Sequence, residues 1–275
     1  MYSGTTLRPF TGRIIGAHQK INRLARANLR SLIKADDAFP STRLILHFEG
    51  LNGPDAIKRK SPAKDEPWHY YSPFDDSDTQ ILEIIAKHYD NVVQALKERD
   101  EIRTAFEAAW LAHAIVDGLT PAHHYPYEEK LAEIRGGKSL ESRATLKEKL
   151  IMPGENGLDM LVNNWRMWGP RGLLNSHGVF EWGVAVMIAP LTEKRVPLTP
   201  EDIAEAQREG VVELFKLRAK EIAALEAYDA YMRHGWTPKL ARLVRKKIVP
   251  EIVKTVALAW YAAARDAGLA KGQLR

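Results

Sequence analysis

The chain has 275 residues, 45% hydrophobic and 27% charged, an ordinary globular balance with enough length to bury a large core. It has no cysteine, which excludes disulfides and thiolate metal sites, so any metal must be held by His, Asp, Glu, water or backbone groups. The formal charge of +5 is modest but uneven: Arg8, Arg13, Lys20, Arg23, Arg26, Arg30 and Lys34 crowd the first 35 residues without one acid, and KLARLVRKK (239–247) is a second basic stretch. Such stripes either concentrate anions such as phosphates, nucleic acid or lipid headgroups, or are plain solvated helix faces.

Helical periodicity dominates from the start. Residues 14–34 place Ile14, His18, Ile21, Ala25, Leu29 and Leu32 at three-to-four-residue steps, one apolar stripe interrupted only by His18. Residues 35–75 are rich in Pro, Gly and Asp and predict a long irregular connection, ordered by the aromatic cluster PWHYY (67–71). Ser77 followed by Gln80 predicts a capped helix over 78–98, and Asp100 a second running to Gly118. Residues 125–155 predict short helices mixed with loop, and Ser176 a cap for a helix from 177 to Pro190. Thr199-Pro200-Glu201-Asp202 combines a cap, a first-turn proline and acids at the positive dipole end, and predicts one helix continuing to Met232. Thr237-Pro238 repeats that signature, and Pro250 divides the last helical region. Period-two patterns are nearly missing. The expectation is a single all-α domain over residues 1–275. IVKTVALAWYAAARDAG near the end is expected to pack in the core rather than on a membrane. The N-terminal MYSGTTLRPF lacks an apolar signal segment and no run is long enough to span a bilayer, which predicts a cytoplasmic protein, although a chain without cysteine also suits export.

The chemistry concentrates in HAIVDGLTPAHH (113–124). His113 and Asp117, four apart, project from one helix face on the stripe that also holds Phe106 and Trp110, so two ionisable groups are carried inward. A buried carboxylate is costly unless it meets a dication or a hydrogen-bonding partner. Pro121 then turns the chain and re-aims His123. His177 and Glu181 repeat the i, i+4 geometry, His18 stands alone on its apolar stripe, and Asp55 and His69 come from the irregular segment. On the order of one chance His-x-x-x-acid pair is expected, and three occur; the 124/128 pair spans Pro126 and is set aside as chance. His47, His88 and His234 read as ordinary hydrogen-bonded histidines.

Taken together, these residues resemble the zinc-dependent phospholipase C and fungal single-strand nuclease superfamily, all-α proteins with three zinc ions in one cleft. The resemblance covers residues 12–190: TGRIIGAHQKINRLA with His18, GPDAIK and PWHYY with Asp55 and His69, H-AIV-D-GLTPA-H, and HGVFE with its final Glu as in the phospholipases. It implies one zinc on Asp55, His69, His113 and Asp117, a second on His123, His177 and Glu181, and a third on His18 with Asp117 as a bridge. It further implies that Asp55 orients the attacking water and that Lys58, three residues later as in the nuclease branch, contacts a phosphate oxygen. The family's third zinc is also held by an N-terminal tryptophan; here Met1 and Tyr2 stand upstream of His18 and no Trp precedes Trp68, so two ions are an alternative to three, and iron or manganese an alternative to zinc.

The implied activity is hydrolysis of a phosphodiester by a metal-activated water, with a phosphate-containing small molecule, a lipid or single-stranded nucleic acid as substrate. NNWRMWGPRG (163–172) either stacks on such a substrate through Trp165, Arg166, Trp168 and Arg171 or is packed away. The competing expectations are a non-hydrolytic or redox metalloenzyme on the same scaffold, and a non-catalytic helical binding protein.

Overall fold

A computed structural model describes residues 16–49, 52–57, 69–138, 145, 148, 150–192, 194 and 196–271. Its elements in chain order are α1 (Ala17–Arg30), α2 (Thr42–Glu49), α3 (Pro54–Ile57), α4 (Gln80–Glu98), α5 (Glu101–Gly118), a 3-10 turn (Pro121–His124), α6 (Tyr127–Ile134), α7 (Gly157–Trp168), α8 (Leu173–Ile188), α9 (Pro200–Glu209), α10 (Val211–Ala223), α11 (Ala227–His234), α12 (Pro238–Leu243), a π turn (Val244–Ile248) and α13 (Val249–Asp266). The class is all-α. Among the described residues the sole extended pairing is an isolated antiparallel bridge between Ile33 and Ala270.

Two helices form the spine. α5 is buried on every side after its first turn, as a helix apolar all round must be. α13 is buried along most of its length and packs against α1, α4 and α5, so the predicted core placement of the C-terminal run holds. Trp260 of α13 is fully buried, and its indole N–H donates to the Ala108 carbonyl of α5 at 3.0 Å, which fixes the two helices axially as well as laterally. α4 and α5 are joined almost without a loop. Arg99 takes a left-handed backbone (φ 58°) to end α4, and the Asp100 side chain accepts from Arg103 N–H to begin α5, as its position in the sequence predicts. No helix among the described residues is long and apolar enough to cross a membrane.

Several boundaries differ from the sequence expectation, each for a local reason. The segment 35–75 is not wholly irregular, since residues 42–49 form α2. Its two turns between Pro40 and Gly53 are too short for periodicity to register, yet they bury Ile45, Leu46 and Glu49. Ser77 does not cap α4: it hydrogen-bonds Asp75, and Thr79 occupies the cap position. α8 begins at Leu173 rather than 177, so Ser176 lies inside it. Gly172 precedes the helix so tightly that an added Cβ would sit 2.6 Å from the Met167 carbonyl oxygen. The predicted helix 200–232 opens on the expected Thr199/Asp202 capping box but is cut twice. Gly210 has φ 77° and Glu226 φ 47°, neither compatible with a continuing α-helix. Pro250 does not break the last helix: the π turn over Val244–Ile248 widens the ladder just where proline withholds its N–H, and the axis continues.

Gly118, directly after Asp117, is where α5 touches α4 and α10. A Cβ there would lie 2.5 Å from Phe215 Cζ and 2.8 Å from Ile81 Cδ1. Gly118→Ala is expected to destabilise the protein by about 1–3 kcal/mol through overpacking. Denaturant unfolding checks this, with a lower midpoint at unchanged slope the expected result.

Candidate metal centre

Five segments converge on one buried centre. α1 supplies His18, α3 Asp55, the segment before α4 His69, α5 and the following 3-10 turn His113, Asp117 and His123, and α8 His177 and Glu181. Every sequence-predicted ligand is brought into it. Lys58, Met1 and Tyr2 lie outside the described residues. Donor atoms of His18, His113 and Asp117 lie within 4.8 Å of one another, as do those of Asp55, His69 and His113, and those of His123, His177 and Glu181.

Asp117 stands at the middle of this arrangement. Its Oδ2 lies 3.1 Å from His113 Nε2 and pairs closely with His69 Nδ1, while its Oδ1 lies 3.1 Å from His18 Nε2 and 3.7 Å from His123 Nδ1. The two oxygens of one carboxylate thus face two different histidine sets, the disposition of a bridging ligand. Asp55 Oδ1 is 3.8 Å from His113 Nε2, and His113 Nε2 is 3.3 Å from His69 Nδ1. At the other end, Glu181 Oε1 lies 2.8 Å from His123 Nε2 and 3.0 Å from His177 Nε2.

Local backbone interactions set these directions. The 3-10 turn begins at Pro121, as the sequence predicts, and then hydrogen-bonds across to the segment before α4. Tyr71 N–H donates to the His123 carbonyl at 3.1 Å, and His123 Nδ1 lies 2.7 Å from the His69 carbonyl oxygen. The second contact makes Nδ1 the donor, so in the neutral ring Nε2 carries a lone pair facing Glu181 Oε1, two donors that could hold a metal between them. His124 is not in any of the ligand groups. Its ring instead caps the end of α5 through the Gly118 carbonyl (2.8 Å), and burial lowers its pKa to about 4.

Three participants were not legible as such in the sequence. Glu49 of α2 is fully buried, with Oε1 2.9 Å from His113 Nδ1 and 3.1 Å from His18 Nδ1. Tyr70 and Tyr127 stack on each other (5.3 Å between centroids) and wall the His123–His177 group, the Tyr70 ring 5.2 Å from that of His123 and the Tyr127 ring 5.8 Å from that of His177. For Tyr70 the available signal was its place beside His69 in PWHYY; for the other two there was none. By contrast, Trp165 and Trp168 do not enter the centre. Trp165 is 69% exposed on an outward apolar face of α7 with Leu158 and Leu161, and Trp168 donates to the Leu150 carbonyl.

The electrostatics suit cations. Burial alone would raise the Asp117 carboxyl, yet it lies well below the carboxylate range, with His123, His113 and His18 among the groups that lower it. Burial likewise opposes ionisation of Glu181, yet its carboxyl is lowered well below the ordinary value, with His177 and His123 among the causes. His113 is pushed up to about 10: burial lowers it, but Glu49 and then Asp117 win. Burial pulls His18 down too, with His113 adding to that, yet Glu49 and Asp117 leave its pKa raised. Both ring nitrogens of His18 are buried and, among the described residues, make no hydrogen bond of good geometry. Buried ring nitrogens that face carboxylate oxygens at 3.1 Å without an aligned hydrogen bond match the donor chemistry of a nitrogen–oxygen site for divalent ions.

Without metal, these groups set a pH window. The contributions of Asp117 and Glu181 are fully present above their ordinary values of 3.8 and 4.5 and are lost as pH falls further. That of His113 is fully present below its ordinary 6.5 and is lost as pH rises through about 10. Since a ligating histidine must be neutral, metal uptake at pH 7 is expected to expel the His113 proton. Calorimetric titration with zinc in buffers of different ionisation enthalpy checks this; an apparent enthalpy independent of the buffer contradicts it.

No protein-family model and no curated protein matches the chain, so what this centre does has to be read from its side chains.

Proposed function

We propose that the protein is a metal-dependent phosphoesterase of the zinc phospholipase C and single-strand nuclease type, hydrolysing a phosphodiester. The observation that carries this reading is the convergence of Asp55, His69, His113, Asp117, His18, His123, His177 and Glu181 into three contiguous donor groups around one bridging carboxylate. A single structural zinc would need four ligands in a closed shell; eight donor residues in three groups, two of which share His113, are more than one ion uses and leave positions for water and substrate. Two or three ions fit these groups, zinc first on its preference for histidine and carboxylate, with iron or manganese the other candidates. When bound, such ions acidify water and neutralise charge on phosphate oxygens.

The chain's own residues supply the rest. Asp55 is the most exposed carboxylate of the centre, its side chain 23% accessible against 3% for Asp117, so it stands where water enters. In the proposed reaction Asp55 orients a water whose oxygen forms the new bond to phosphorus, the ester P–O bond breaks, and a proton leaves with the released alcohol. Lys58 is assigned the non-bridging oxygen. Tyr70 and Tyr127 form an apolar wall beside His123 and His177, suited to hold the non-phosphate part of a substrate and exclude bulk water.

Purified protein is expected to carry two or three divalent ions per chain and to cleave at least one of bis-p-nitrophenyl phosphate, lecithin and single-stranded DNA. Chelation should abolish that cleavage and zinc restore it. Asp117→Asn should lower the rate by at least about 100-fold, since its two oxygens face His18 on one side and His69 and His113 on the other. Turnover that requires a redox partner, or ordered protein that takes up no metal, would sink the reading.

A further inference from the structure

Glu49 is not one of the metal ligands assigned above, yet it is among the most deeply buried ionisable groups in the molecule, with no solvent exposure. A carboxylate in that position is tolerated only with close partners. Those given by the geometry are His113 Nδ1 at 2.9 Å, His18 Nδ1 at 3.1 Å and, on the other oxygen, the Asn22 amide at 3.5 Å. Both histidines meet the same oxygen, Oε1. Their rings lie stacked, 4.3 Å between centroids and 22° apart, so they leave Glu49 side by side and reach Asp117 side by side through Nε2. Three helices are tied at this point: α1 through His18, α2 through Glu49 and α5 through His113.

Imidazole has two nitrogens, and either can bind a metal; the one that is bound is decided by what the other does. We propose that Glu49 is a positioning residue that holds His18 and His113 together as Nδ1–H tautomers, so that both present Nε2 to the centre, and that it thereby couples the two donor groups that share His113. The carboxylate behind the rings also makes each a stronger donor. The group of His123, His177 and Glu181 is oriented differently: His123 Nδ1 faces the His69 carbonyl. Glu49 therefore acts on one end of the centre only.

The inference rests on the metal-centre reading, and the test separates the two. Zinc content and affinity are measured by equilibrium dialysis against buffered free zinc for wild type, Glu49→Gln and Glu49→Ala. Long-range nitrogen–proton NMR of histidine-labelled, zinc-loaded wild type reports which ring nitrogen of His18 and His113 is protonated. The expected result is Nδ1–H on both, a loss of about 10–100-fold in zinc affinity at the His18/His113 end in the variants, and unchanged affinity at the His123/His177/Glu181 end. Wild type that takes up no zinc overturns the metal-centre reading itself. Wild type that binds zinc through Nδ1 of either histidine overturns the role of Glu49, even if neither variant folds. Variants that keep wild-type affinity at every group, or lose it equally at all of them, also overturn it.

Discussion

The organising constraint of this molecule is the burial of carboxylates. Asp117 and Glu49 are almost completely removed from water, and Glu181 nearly so. Charges so placed have to be compensated within a few ångströms, and among the described residues the ion pairs they make are with histidines. An arginine would neutralise the carboxylate permanently, whereas a histidine neutralises it only while protonated. As a neutral ring the same side chain becomes a metal ligand. The choice of partner therefore suits a centre that could exchange protons for dications, and the pKa directions of Asp117, Glu181 and His113 are consistent with it.

The rest of the fold serves to hold this cluster. α5 carries His113 and Asp117 in the most enclosed part of the molecule, and α13 locks it through Trp260. The 3-10 turn at Pro121 and the segment at 69–71 are hydrogen-bonded to each other, so His69 and His123, far apart in sequence, share one rigid junction. Gly118 allows the end of α5 to close on Phe215 and Ile81. Each device is local and ordinary, and together they aim five chain segments at one volume.

What could be read from sequence followed the range of the signal. The i, i+4 pairs 113/117 and 177/181 were legible because helical geometry alone places both members on one face, and Pro121 signalled that His123 leaves that face. His18 was legible as a lone interruption of an apolar stripe. Glu49 was not, because its helix is two turns long and its partners lie 31 and 64 positions away; nothing local distinguishes it from an exposed glutamate. The helix breaks at Gly210 and Glu226 were missed for a related reason. The pattern continued across them, and only the backbone conformation shows that the chain turns. The exposed apolar face of α7, with the polar Asn163 turned inward to the Pro153 carbonyl, inverts the pattern from which cores are read.

The pairing of α5 with α13 has a consequence for biosynthesis. All eight candidate ligands lie before residue 182, while the helix that packs against α5 spans residues 249–266. A ribosome therefore exposes the complete ligand set before it delivers the segment that buries it. The helix that packs against α1, α4 and α5 is thus made after every one of these side chains, and the core around α5 is completed only by the chain's own later residues.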